Sequence, residues 1–403
     1  MSLAALRDPG YRPYFLGNLL ALQAIWIQRV GVSWLAWDLT GSPGFTGVVA
    51  GLGMIPSFVT GPFFGVLVDR TDIKRAAWAT TGGMIAGLLL VVGLLVAGWL
   101  GPLALAAAAL GIGVVTSAHH PVRMSLGPRL VPAAAVSSVI ALGSVNFNMA
   151  RLIAPVIAGL LISALGVAAT LAIALAFHLP MLLILPRLAP RDLPPRERSE
   201  TVWQAFRKGV SHAARDPVVR ACILLMGVFT IAGRGLLEIL PVLADGVFAR
   251  GAAGLGLLTG AAGAGALCAA VGLALLPARS WGDGRGIPAP VVAGLALGQL
   301  GVAGLGWIDS WPLALACVGA LGFASTLGGV SLQTVVQVGL TDNMRGRIMS
   351  LWIMTGFGMA AVGATAIGWA IEALGARTAL TGFGLAGFVA IAALSLPHLR
   401  RAR

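Results

Sequence analysis

Three arginines and one glutamate, Arg29, Arg151, Arg234 and Glu238, stand inside otherwise apolar stretches of this chain and have the most chemistry to offer. An ionisable side chain near the centre of a bilayer costs about 2.5 to 3.5 kcal/mol on insertion scales, so each marks a candidate functional position. Guanidinium forks bind the paired oxygens of carboxylate, phenolate or phosphate groups, and a carboxylate can carry a proton. Glu238 stands after Arg234 at the i, i+4 spacing that brings side chains together on a regular helix. Two readings are open: a fixed ion pair with Arg234, or a proton-coupling residue whose protonation frees Arg234 for an anionic ligand. Arg151, close to Pro155, either faces that ligand or binds carbonyls released where a proline bends its helix.

At about 100° per residue, Gln23, Trp26, Arg29, Ser33 and Trp37 fall on one arc, and Gly227, Thr230, Arg234, Glu238, Pro241 and Asp245 share another. The two stripes predict a wet, net-positive cavity in which Gln23, Ser33 and Thr230 hydrogen-bond a ligand and Trp26 and Trp37 stack on it. Asp38 and Glu372 sit at the ends of apolar stretches and leave Glu238 as the deep carboxylate. Thr326, Gln333 and Gln337 recur at helical spacing and either line the same path or bond neighbouring helices. His119 and His120 are read as solvated or carbonyl-bonded rather than as a proton switch.

Composition allows these groups to be positioned only by membrane-spanning elements. The 403 residues carry 10% charged side chains at a mean hydropathy of +0.92, against about a quarter charged in soluble domains. Apolar runs of about 20 residues span hydrocarbon as helices. Twelve are expected, at 14–38, 45–68, 77–99, 103–122, 136–161, 167–186, 218–241, 254–276, 289–308, 312–333, 348–373 and 378–397. Basic residues cluster between pairs of runs: Arg7 and Arg12; Arg70, Lys74 and Arg75; Arg123 and Arg129; Arg187 to Arg220; Arg279 and Arg285; Arg345 and Arg347; Arg400, Arg401 and Arg403. The positive-inside rule makes that side cytoplasmic, with both termini on it, in a prokaryotic inner membrane.

The net charge of +13 is spread over these connections, so it reads as topology and not as a nucleic-acid footprint. Cys222, Cys268 and Cys317 lie within runs and suit small packing residues better than a disulfide framework. No cofactor, metal cluster, Walker lysine or catalytic constellation is legible. The segment from Pro186 to Asp216 divides the chain into a six-helix bundle at 1–186, a cytoplasmic linker at 187–216 and a second bundle at 217–403. Within it, Trp203, Phe206, Val210 and Ala213 at helical spacing suit either a surface helix on membrane lipid or a solvated connector. The halves echo each other: GLLISALG at Gly159 to Gly166 resembles GWAIEALG at Gly368 to Gly375, as expected of a duplicated unit.

After the second run, Gly65, Asp69, Arg70, Lys74 and Arg75 resemble the cytoplasmic loop signature of the major facilitator superfamily, with Asp72 where that pattern has its second glycine. The resemblance implies a conformational latch, Asp69 resting on the N-terminus of the eleventh span near Ile348, where an anion gains roughly 0.3 to 1 kcal/mol. Ala141, Ala150, Ala154, Ala158 and Gly159 around Pro155 resemble the fifth-span pattern of that superfamily's proton antiporters, which implies a hinge at Ala154, Pro155 and Gly159. The stretches Trp26 to Pro43, Gly233 to Leu258 and Met344 to Trp352 are similar to the branch containing macrolide-efflux proteins and the enterobactin exporter. These resemblances imply an all-α integral membrane fold, twelve transmembrane helices in two pseudo-symmetric six-helix bundles, with the first and seventh spans lining a central path. They also imply a monomeric secondary carrier that exports a small organic molecule in exchange for protons. The alternatives are uptake of an organic anion with protons, or a non-transporting receptor on the same scaffold.

Overall fold

Hydrocarbon offers no partner to a backbone amide, so a chain this apolar satisfies its backbone within helices. The computed structural model describes residues 4–60, 64, 71–191, 202–275 and 286–398, and almost all of them are helical. In the amino-terminal half, α1 is Tyr11–Thr40, α2 Pro43–Val59, α3 Ile73–Val96 and α4 Pro102–Leu126. The run Val136–Ile184 is divided at Gly166 into α5 and α6. A short helix, α7 (Val202–Arg215), precedes the second half. There α8 begins as Pro217–Phe229, α9 is Gly251–Leu275, α10 Ala289–Leu305 and α11 Trp311–Gly339. Asp342–Ser395 is divided at Gly375 into α12 and α13. Eight described helices are long and apolar enough to cross a membrane. Two of them are split by those glycines, and the shorter apolar helices Pro43–Val59 and Ala289–Leu305 complete twelve spans.

Gly166 and Gly375 adopt φ of 81° and 80°, a region open to glycine and strained for other residues. The chain reverses there. Ala5 and Trp26 meet Ser138 and Phe147 along α5, whereas Gly17 and Gly31 meet Met181 and Leu171 in the opposite order along α6. Each half builds its own apolar core. Ile27, Leu35, Leu88, Leu105 and Leu171 pack in the first, and Leu225, Phe229, Leu295, Leu321 and Leu332 in the second. A further cluster of Tyr11, Tyr14, Ile73, Leu126 and Leu185 closes the amino-terminal half at the end that carries the basic segments.

The duplicated octapeptide has a structural meaning beyond its turn. Its first glycine is, in both copies, a point where the halves touch. A Cβ on Gly159 would lie 2.3 Å from Gly256 Cα, and one on Gly368 would lie 2.4 Å from the Pro43 carbonyl oxygen. Both contacts sit at the end remote from the basic segments, where α5 packs on α9 and α12 on α2. Polar ties reinforce that end. The Gly44 amide donates to Glu372 Oε2 at 2.8 Å, the Ser42 hydroxyl donates to the same oxygen, and Trp37 Nε1 donates to Asp245 Oδ2 at 2.9 Å.

Two expectations at the basic end are refined. Asp72, the departure from the family loop pattern, is the N-cap of α3, accepting from the Lys74 and Arg75 amides at 2.8 and 3.0 Å. The Arg75 amide holds its carboxyl below the ordinary aspartate range, so the cap is complete at neutral pH and is lost as acid protonates it. Asp72→Ala is expected to cost about 1 kcal/mol of helix stability, seen as a lower thermal midpoint at neutral pH and no difference once the cap is protonated. Lys74 Nζ donates to the Pro186 carbonyl, within the same half. Gly65, Asp69 and Arg70 lie outside the described residues. The linker segment does form a helix: Gly209 of α7 packs against Arg347 and Leu351 of α12, and Trp203 stacks on Phe206 while remaining 66% exposed.

Candidate functional site

The seventh span is where regular helical geometry fails. Phe229 is followed by a π-helical turn Thr230–Arg234, one α-helical turn Gly235–Glu238, an irregular residue at Ile239 and a second π-helical turn Val242–Val247. π-turns add a residue per turn and often mark functional sites. Gly233 and Gly235 let this irregular span pack closely: a Cβ on Gly235 would meet the α12 backbone at Gly363, 2.6 Å away.

Between the halves lies a cavity of about 290 Å³. Arg29, Trp26 and Ser33 reach it from α1, Arg151 and Pro155 from α5, Arg234 and Glu238 from α8, and Thr326 from α11. Facing them is a largely apolar wall that includes Ala109 and Ile112 of α4 and Leu255, Ala262 and Ala266 of α9. Arg29 Nη2 lies 2.6 Å from Glu238 Oε2 and its Nε donates to the same oxygen at 3.0 Å. The pair is partly open to the cavity, with side chains 30% and 15% accessible. The Arg29 guanidinium also sits 5.4 Å from the Trp26 ring centre, and the Ser33 hydroxyl donates to the Glu238 carbonyl at 3.0 Å.

This pairing corrects the one expected from spacing. Glu238 is joined to Arg29, 209 positions away, and not to Arg234, although Gly235–Glu238 is a regular α-helical turn. Arg151 and Arg234 line the cavity with no ion pair to a carboxylate among the described residues. Other expected members are placed elsewhere. Thr230 is fully buried at the start of the π-turn, and Gln23 is buried within the amino-terminal half. Trp37 belongs to the contact with Asp245 at the closed end. The Gln333 and Gln337 amides point to Met349 Sδ at 3.7 and 3.1 Å. His119 is buried and its Nδ1 lies 3.2 Å from Thr80 Oγ1, which replaces the expected solvated or carbonyl-bonded histidine.

Of the fifth-span residues, Ala154 is buried in the amino-terminal core, Pro155 faces the cavity and Gly159 meets Gly256. Sequence reasoning missed Asn148, Gln28, Met54 and Thr259 as cavity residues. Asn148 precedes Arg151 by three positions, a helical spacing that carries the signal. Met54 is recognisable only by its contact, a 3.1 Å approach of Arg29 Nη2 to its sulfur. Among the described residues no group of His, Cys, Asp and Glu is arranged to hold a metal ion.

The family profile described as transmembrane secretion effector matches residues 1–402. The enterobactin exporter EntS of Shigella boydii serotype 18 (strain CDC 3083-94 / BS512) is 28% identical over 426 residues, covering 100% of this chain and 96% of that protein. Solved structures share the fold at lower identity. A bacterial homolog to the human lysosomal transporter Spinster, inward-facing and unoccupied, aligns with a TM-score of 0.70 at 14% identity over 96% of both chains. The human organic anion transporter MFSD10 aligns with a TM-score of 0.65 at 17% identity over 96% of this chain and 99% of its own. The chain therefore belongs to the transmembrane secretion effector family of the major facilitator superfamily and is a multi-pass membrane transporter, not an enzyme.

Proposed function

We propose that this transporter exports a small organic anion across a prokaryotic inner membrane by alternating access, acting as a monomer with both termini in the cytoplasm. The observation that carries the reading is the charge of the cavity: three arginines and one glutamate face it. A surplus of guanidinium in a confined, partly apolar space favours cargo with acidic oxygens, and Trp26 with the apolar wall suits an aromatic or aliphatic body. Arg151 and Arg234 are the primary anion ligands, Arg29 is shared with Glu238, and Glu238 is the proton-coupling residue. The rocking bodies are 1–186 and 217–403, tied by 187–216, with Pro155 and Gly159 on the moving interface, Ala154 behind them in the amino-terminal core, and the loop from Gly65 to Arg75 as the cytoplasmic latch. Export accords with the family match and the resemblance to an exporter. Uptake of the same anion together with protons is the second reading, supported by the partly accessible carboxylate within the anion site.

A thermal-stabilisation screen of the purified protein tests the sign of the cavity. Benzenesulfonate is expected to raise the unfolding midpoint, while benzenesulfonamide and phenyltrimethylammonium leave it unchanged. The Arg151→Gln and Arg234→Gln variants are expected to lose the response. Stabilisation by the cation alone would overturn the anion reading, and uptake rather than extrusion in oriented vesicles would reverse the direction.

A further inference from the structure

We infer that the cargo carries hydrogen-bond donors, hydroxyl or N–H groups, on the part of its body remote from its acidic group, and that Thr116 and Thr259 accept them. The inference rests on the anion reading above and deepens it from the sign of the cargo to its class, an organic acid that also bears hydroxyl or amide groups.

The observation is where the protons of the lining already go. A threonine hydroxyl has one proton to donate and lone pairs with which to accept. Thr116 commits its proton to the Ile112 carbonyl at 2.8 Å, closer than the Met84 sulfur at 3.5 Å. Thr259 shares its own between the Leu255 and Gly256 carbonyls at 2.8 and 3.0 Å. Both side chains line the cavity, and what each oxygen has left to offer there is a lone pair. Ser33 is committed in the same way to the Glu238 carbonyl across the halves, at 3.0 Å. The Asn148 amide nitrogen donates to the Ser144 carbonyl at 2.8 Å, with Oδ1 left to accept. Gln28, 3% exposed, also lines the cavity and has no partner for its Oε1. Thr326 has no partner for its hydroxyl and can play either part.

The cavity therefore divides its chemistry. Its strong donors are the guanidiniums, which reach it from α1, α5 and α8, whereas Thr116 and Thr259 are set in the apolar wall that faces them. An acidic group seated on the arginines directs the rest of the cargo to that wall. A hydrocarbon body would withdraw the two oxygens from water and give them nothing in return, and a body with acceptors alone would set lone pair against lone pair. Turning either threonine to donate instead would take its proton from a helix carbonyl. A hydroxyl or N–H on the cargo satisfies both oxygens and disturbs neither helix.

The test is a set of sulfonates that differ in one substituent. The full-length protein in lipid nanodiscs is titrated calorimetrically with benzenesulfonate and its 4-ethyl, 4-(hydroxymethyl) and 4-(methoxymethyl) derivatives. Ethyl and hydroxymethyl match in size, and an apolar wall without open acceptors ranks ethyl first. The hydroxymethyl compound is expected to bind about 2- to 10-fold more tightly than the ethyl and methoxymethyl compounds. Thr116→Val and Thr259→Val keep the side-chain shape and remove the oxygen. Each is expected to reduce the hydroxymethyl-to-ethyl ratio, and the double variant to invert it. The ratio is internal to each protein, so a general loss of affinity does not imitate the effect. Equal or tighter binding of the ethyl or methoxymethyl compound to the unaltered protein, or a ratio that survives in the double variant, overturns the inference while leaving an anion site standing. Failure of all four sulfonates to bind removes the anion reading itself and the inference with it.

Discussion

A carrier in which Gly159 is replaced by valine is expected to insert and fold, yet to be unable to shut the end of the molecule remote from its basic segments. Gly159 and Gly256 bring α5 and α9 close enough that even a Cβ on Gly159 would lie 2.3 Å from Gly256 Cα and 2.5 Å from its nitrogen. Those atoms are backbone and have no rotamer by which to yield. Overpacking of this kind costs about 1 to 3 kcal/mol. Because the contact joins the two halves, the cost falls on one conformer and not on the fold. A bias of that size shifts a two-state population by about 5- to 150-fold. Spin-label distances across the closed end report it directly: a long-distance population replaces the short one, and net transport falls in proportion. An unchanged distance distribution would mean that this seam does not have to open and close. Gly265 is the instructive contrast, since its Cβ would lie 1.8 Å from the Gly319 carbonyl oxygen inside the second half, where a side chain would attack the packing of the fold itself.

Replacing Arg234 with methionine is expected to weaken benzenesulfonate binding by about 30-fold or more, the usual result of deleting one member of a buried charged contact. Methionine keeps much of the apolar stem and removes the charge and its donors. Arg234→Lys is expected to recover part of the affinity, because a point charge replaces a planar fork. Calorimetric titration of both variants checks the order. Equal affinity in the methionine variant would assign Arg234 to the architecture of the π-turn instead of to cargo. The result is distinguishable from misfolding because Glu238 and its Arg29 partner remain in place, so the stability of the unliganded variant serves as a control.

Most of the architecture was legible in the chain because hydropathy and basic punctuation are long-range, redundant signals. Twelve spans emerge from runs of about 20 apolar residues, and α9, expected at 254–276, is found at Gly251–Leu275. The duplicated octapeptide predicted a repeated unit, and the matching backbone at Gly166 and Gly375 gives it a physical reason. Site geometry was less legible. Arg29, Arg151, Arg234 and Glu238 are conspicuous in an apolar sequence, and all four line one cavity. Which arginine meets the carboxylate was not readable, since the i, i+4 rule weighs local partners alone and Arg29 is brought to Glu238 from 209 positions away. Thr230 was misplaced because the π-turn from Thr230 to Arg234 shifts it off the helical face of Arg234. Trp37 shares the helical arc of Arg29 but lies two turns farther along α1, so a projection down the axis hid that it belongs to the closed end. Gln333 and Gln337 show the limit of polarity as a guide, because a nearby methionine sulfur occupies their amides.

At Gly166 and again at Gly375, one residue separates two helices that run back along each other. A linkage that short has no play in it. Tilting α5 must swing α6 through the same arc, and α12 must likewise carry α13, so displacement at the glycine seams is transmitted to the far side of each half without being absorbed on the way. The two hairpins act as paired levers with stiff elbows, and lengthening either elbow would uncouple the stroke from the load.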